Sequence, residues 1–168
     1  MCISDSPNTT KKMTDRIEAA ANKVASNGTR IVATNPKNGP ESIEGYYDEV
    51  FCIPGILEEV FLHKDADAYI IGCFDDTGLD AVRSITNKPV LGIGDSSYHI
   101  ASCLAGTFSV ITTLDVSVPI IKNNLLKRGF DRICENVSKF VFGTQIHKVP
   151  PVQGKIPFCE NLCFRDFG

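Results

Sequence analysis

Short apolar runs alternate along the chain with stretches of helical spacing. Residues 29–34 (TRIVAT), 68–73 (AYIIGC), 89–93 (PVLGI) and 108–112 (FSVIT) are compact, apolar and rich in β-branched side chains, so each predicts a strand. Between them, residues 13–25 put Met13, Ile17, Ala20, Ala21 and Val24 on one helical face, with Asn8, Thr9 or Thr10 available as the cap. Pro54 suits the first turn of a helix carrying Ile56, Leu57, Val60 and Phe61. Further helices are predicted over 78–85, 96–104 and 118–126, the last with Pro119 in its first turn. The alternation predicts an α/β fold, a parallel sheet with helices on both faces. Strands covered on both sides are apolar throughout, as these are, rather than alternating. After about Val137 the helical periodicity is lost; residues 140–142 could form one more strand before an irregular, proline-containing tail.

In an open parallel sheet, ligands bind beyond the carboxyl ends of the strands. Those ends carry Pro7-Asn8-Thr9, Asn35-Pro36, Cys73-Phe74-Asp75-Asp76, Gly94-Asp95-Ser96 and Thr112-Thr113. The set is small and mostly uncharged. Neither a GxxxxGK loop nor a GxGxxG turn is present, which argues against a nucleotide site, and Gly92-Ile93-Gly94 alone is too short to count. Cys73 stands out because it ends a buried strand just before a helix opened by Gly78. A helix N-terminus lowers a thiol's pKa, while Asp75 and Asp76 oppose that unless they point away. Cys52 and Cys103 fall inside predicted helices, where a core role dominates. His99 reads equally as a ligand contact or as a satisfied, partly buried histidine. Cys159 and Cys163 form a CxxxC with no second pair, and His147 lies twelve residues upstream, which is poor spacing for structural zinc.

Composition narrows the picture. The chain has 168 residues, 43% hydrophobic and 22% charged, with a net charge of −3. This is ordinary globular composition without the basic field of a nucleic-acid binder. No apolar run reaches the ~20 residues that span a bilayer, and the first residues lack a signal peptide's basic and apolar regions. The expected compartment is cytoplasmic. There, seven scattered cysteines read as free thiols, most of them filling core space.

The strand-end motifs form a series. Ser6-Pro7-Asn8-Thr9-Thr10 followed by Met13-Thr14 resembles the NPNT(S/T)xxMT opening of the hydantoin and allantoin racemases of the aspartate/glutamate racemase superfamily. The run from Gly39 to Glu49 is similar to that family's GPxSIEGxxDE, and Cys73 to Leu79 to its CFDDxGL segment around the first catalytic cysteine. Residues 89–93 and 108–113 also match in order, so the resemblance covers roughly residues 6–137.

The resemblance implies cofactor-independent racemisation of a small hydantoin or amino-acid derivative. One thiolate removes the Cα proton and a second thiol returns one on the opposite face. Cys73 would be catalytic, and Asn8, Phe74, Asp95, Thr112 and Thr113 would bind substrate, with no metal. It also implies two α/β domains, the first over residues 1–95 and the start of the second over 96–137, leaving 138–168 as a divergent tail. Ser6 stands where the family has its first Asn, and no GCAG-like segment carrying the second cysteine follows. The alternative is therefore a truncated, non-racemising homologue that acts as a small-molecule binding module or is inactive. An incomplete second half would leave an exposed sheet edge, which favours marginal stability or a homo-oligomer.

Overall fold

The computed structural model describes residues 2–5 and 7–139. The order is β1 (Cys2–Asp5), α1 (Lys11–Val24), β2 (Ile31–Thr34), α2 (Tyr46–Leu62), β3 (Ala68–Ile71), α3 (Leu79–Ile85), β4 (Val90–Gly92), α4 (Ile93–Leu104), β5 (Phe108–Thr112), α5 (Ser117–Arg128) and β6 (Cys134–Lys139). All described pairings are parallel: a four-stranded sheet ordered β2-β1-β3-β4, and a two-stranded sheet of β5 and β6. The α/β alternation read from the hydrophobic pattern is the observed one. Because the strands of the larger sheet are parallel, the ends of β1, β2, β3 and β4 open onto one edge.

Each sheet has its own core. In the first, Cys52, Ile56 and Val60 of α2 and Leu79 and Val82 of α3 pack with Ala66, Tyr69, Ile71 and Val90. In the second, Tyr98 of α4 packs with Val110, Ile121, Leu125 and Val137. Gly55 lets α2 lie against the buried Pro36 after β2; a Cβ there would sit 2.6 Å from the proline ring.

Three local expectations are corrected, and one strand is added. Pro54 lies well inside α2, not in its first turn. It interrupts the hydrogen-bond ladder on an outer face of the helix, where both Pro54 and Val50 are exposed. In α1 the packed stripe is Thr14, Ile17, Glu18 and Ala21, whereas Met13 and Val24 are exposed; Thr14 is anchored by donating to Asn35 Oδ1 at 3.2 Å. The fourth helix starts at Ile93 rather than 96, directly out of β4, because another loop caps it. Finally, β6 is a strand although only Val137 of its six residues is buried. Residues 140–142, His147, Cys159 and Cys163 lie outside the described residues.

Candidate active site

Cys73 stands two residues beyond β3, half-buried against the first core. A turn follows it: Asp76 N–H donates to the Cys73 carbonyl at 3.0 Å, and Leu79 N–H to the Asp76 carbonyl at 3.0 Å. Gly78 then takes a left-handed conformation (φ 75°) as the cap of α3. A side chain at Gly78 would be strained and would also crowd Ile56, so glycine suits both demands.

The thiol is not at the helix N-terminus, because α3 begins only at Leu79. Burial pushes its pKa up to about 11. The Thr77 hydroxyl, 3.6 Å from Sγ, and the N–H groups of Asp75 and Thr77 act in the opposite direction, while the Asp75 charge adds to the rise. The resting group is therefore a protonated thiol, contrary to the thiolate that the helix dipole favoured. Removing sulfur from water outweighs a dipole that begins six residues later.

The two carboxylates after Cys73 have different tasks. Asp75, raised by burial, accepts from Ser117 Oγ at 3.1 Å, and its carbonyl accepts from Asn124 Nδ2 at 2.8 Å, so α5 grips it twice. Asp76 reaches α4 instead. Its Oδ1 accepts Gly94 N–H at 3.0 Å and its Oδ2 accepts Asp95 N–H at 2.7 Å. Two otherwise orphaned amides of the first helical turn are thereby satisfied. Burial raises the Asp76 pKa to about 6 despite these bonds. The Gly92-Ile93-Gly94 run acquires its reason here. A Cβ on Gly92 would collide with the Asp76 carboxylate, and one on Gly94 with the Phe74 carbonyl and Asp76.

The other anticipated residues surround this turn unevenly. Phe74 is partly exposed and meets Tyr98 edge-on, with centroids 5.8 Å apart. Asp95 is buried and pairs with Arg83 at 3.1 Å, with Arg128 Nε at 3.8 Å and His99 Nδ1 at 3.4 Å nearby, so it is a structural node between α3, α4 and α5. His99 is mostly exposed, 2.9 Å from the Asp95 carbonyl, and so is satisfied locally. Asn8 is buried at the β1 end; its Oδ1 accepts Thr10 N–H at 2.9 Å, while Nδ2 donates to the Met13 thioether at 3.4 Å. Thr112 is half-buried and Thr113 exposed at the end of β5, in the other sheet. The link from that sheet to the Cys73 turn runs through Ser117 and Asn124.

Thr77, Ser117, Asn124 and Glu49 are the residues that pattern reading missed. Glu49 takes the Gly78 N–H, and burial followed by the Asp75 charge raises its pKa. Tyr98 OH is buried without a hydrogen-bond partner among the described residues, and burial followed by the charges of Asp76 and Asp75 raises its pKa. An open cleft of about 250 Å³ lies elsewhere, between Gly39, Pro40, Tyr47, Asp48 and Phe51. The strand-end thiol carries chemistry that this cleft lacks, so we place the candidate site at the former. Among the described residues, no three His, Cys, Asp or Glu side chains are arranged to hold a metal ion, and no helix is long and apolar enough to cross a membrane.

The Asp/Glu/hydantoin racemase family matches residues 6–154. The chain belongs to that family. It is 52% identical over 110 residues to the hydantoin racemase of Pseudomonas sp. (strain NS671), covering 64% of this chain and 44% of that protein. It is 41% identical over 133 residues to the hydantoin racemase of Rhizobium meliloti, covering 78% and 55%. The fold matches the allantoin racemase from Klebsiella pneumoniae with a TM-score of 0.80 at 36% identity, over 82% of this chain and 57% of that one. The chain thus spans about half the length of the racemases it matches. The parallel α/β architecture is that of the family's solved structures.

Proposed function

We propose that this chain carries the proton-transfer half-site of a cofactor-independent racemase acting on amino-acid derivatives of the hydantoin or allantoin type. Cys73 exchanges the proton on the carbon next to the ring carbonyl. The observation that carries this reading is positional. Among the described cysteines, Cys73 is the one at the carboxyl edge of a strand. Cys52 is sealed in the first core, Cys103 is exposed near the end of α4, and Cys134 begins β6 at the opposite edge of its sheet.

Once the thiol has released its proton to water, the thiolate, a strong base because its pKa is raised to about 11, takes the proton from the substrate carbon, and the thiol so formed returns one to the carbanion. Loss of the Cα proton makes an enolate-like anion, which needs donors already in place. Asn8 Nδ2 suits that task, because a thioether is a weak acceptor and is readily exchanged for an oxyanion. Thr112 and Thr113 offer hydroxyls from the other sheet. Inversion requires a second acid–base group on the opposite face, and none of the other described cysteines lies on this edge. That observation favours, as a second reading, a small-molecule binding module that does not racemise.

Optical activity and ligand binding separate the two. Incubation with enantiopure 5-substituted hydantoins and allantoin should abolish optical rotation, and Cys73→Ser should stop it. Substrate binding with rotation unchanged, and no proton exchange, would select the binding module.

A further inference from the structure

Asp76 has three properties that together are unusual for a residue in a short turn. Its backbone is left-handed (φ 53°), the only such non-glycine among the described residues. Its carboxylate is buried, with each oxygen taken by one amide of the first turn of α4. Two glycines, Gly92 and Gly94, leave the space it occupies. A strained backbone persists only where its surroundings hold it, and such strain gathers at functional positions. Here the strained residue lies three positions after the candidate proton-transfer thiol.

We propose that Asp76 is a positioning residue for Cys73: its carboxylate latches the 73–78 turn onto the N-terminus of α4 and so fixes where the sulfur points. The inference rests on the proton-transfer reading for its importance, but the latch itself is a matter of geometry. The turn has few other holds. Asp75 is gripped by Ser117 and Asn124, and Gly78 by Glu49, whereas among the described residues Asp76 supplies the hydrogen bonds from the turn to α4, beside the ring contact of Phe74 with Tyr98. The helix in turn has no cap of its own, since Gly92 at its N-cap has no side chain. Each side supplies what the other lacks. Asp95, which donates one of the two amides, is itself braced by Arg83, and Arg83 also donates to the Val90 carbonyl at 3.0 Å. The latch therefore connects the thiol to the start of β4 through Asp95 and Arg83. Asp75, not Asp76, is the neighbouring carboxylate whose charge bears on the sulfur. A change at Asp76 that alters the thiol thus acts by moving the turn.

The test compares Asp76→Asn with Asp76→Gly in the full chain. Asn keeps the shape and tolerates the left-handed backbone, but its amide accepts one N–H and opposes the other. Gly relieves the backbone and removes the latch entirely. The readout is the pH profile of iodoacetamide alkylation at Cys73, followed on the tryptic peptide 65–83, which holds no other cysteine. Cooperative melting verifies that each variant is folded. The latch predicts that both variants shift the alkylation midpoint downward as the turn opens to water, Gly more than Asn. Where the wild-type chain exchanges substrate protons, kcat should fall about a hundredfold for Gly with KM changed far less, the typical cost of misplacing a reacting group by ~1 Å. A folded Asp76→Gly chain with a wild-type profile would overturn the proposal, because a purely conformational role is one that glycine fills. Should the Gly variant not fold, an Asn variant indistinguishable from wild type would overturn it equally. Alkylation requires no racemisation, so failure of the proton-transfer reading would show separately, as a wild-type chain that exchanges nothing.

Discussion

The two sheets hold the candidate site in different ways. The first is aliphatic and supplies the thiol: β3 ends at Ile71 in a core of Ile56, Val60, Leu79, Val82 and Val90, and Cys73 follows. The second is built around rings, with Tyr98 stacked on Phe108 at 6.2 Å and tilted against Phe130 at 6.1 Å. It contributes grip. From α5, Ser117 and Asn124 hold Asp75, and Lys127 and Arg128 hold Asp80 at the start of α3. Although partial burial opposes it, those two cations keep the Asp80 carboxyl below its usual range. The lesson is that the strand places the sulfur, while the neighbouring sheet and helices set its orientation.

This division breaks most severely in the cores. Ile56→Ala should cost about 3–5 kcal/mol in urea unfolding, because Ile56 is wholly buried at the centre of the first core. Ile121→Ala should cost somewhat less, about 2–4 kcal/mol, and should also loosen α5 and so change Cys73 reactivity. Equal stability losses with Cys73 unaffected by Ile121→Ala would mean that the second sheet is a bystander.

The pH dependence comes next. Folded Asp76 titrates at about 6, against an ordinary 3.8. Between these values the folded chain holds a proton that the unfolded chain has released, so stability from this group falls as pH rises from about 4 to 6. The loss is about 2–3 kcal/mol. Asp75 and Glu49, also raised, act in the same sense, while Asp80 opposes. Unfolding measured at pH 4.5 and 7.5 should show the decline, and Asp76→Asn should flatten it. Smaller again is Asn124→Ala, about 1 kcal/mol for one hydrogen bond, checked by the same unfolding assay. Lys127→Ala removes an exposed pair and should cost under about 1 kcal/mol, vanishing in high salt.

Much of the fold was readable because its strands are continuous apolar runs and its helices are spaced to match. The Cys73 turn was equally readable, since a thiol closing a buried strand is conspicuous. What escaped depends on contacts distant in sequence. The start of α4 is set by Asp76, 18 residues before Gly94, which no local capping rule sees. The Gly-Ile-Gly run looked like a failed nucleotide motif when it is the space for a carboxylate. Thr77, Ser117 and Asn124 are ordinary polar residues until folding brings them to the turn. The thiol's resting protonation has the same origin: burial is a tertiary property, and here it adds to the Asp75 charge against the local dipole.

The most direct test of the account is deuterium incorporation at C5 of an enantiopure 5-substituted hydantoin in heavy water, comparing the wild-type chain with Cys73→Ala. Proton transfer by Cys73 predicts incorporation above the buffer rate by the wild type and the buffer rate alone for the variant. Equal incorporation by both, above buffer, would show that another group moves the proton and would contradict it.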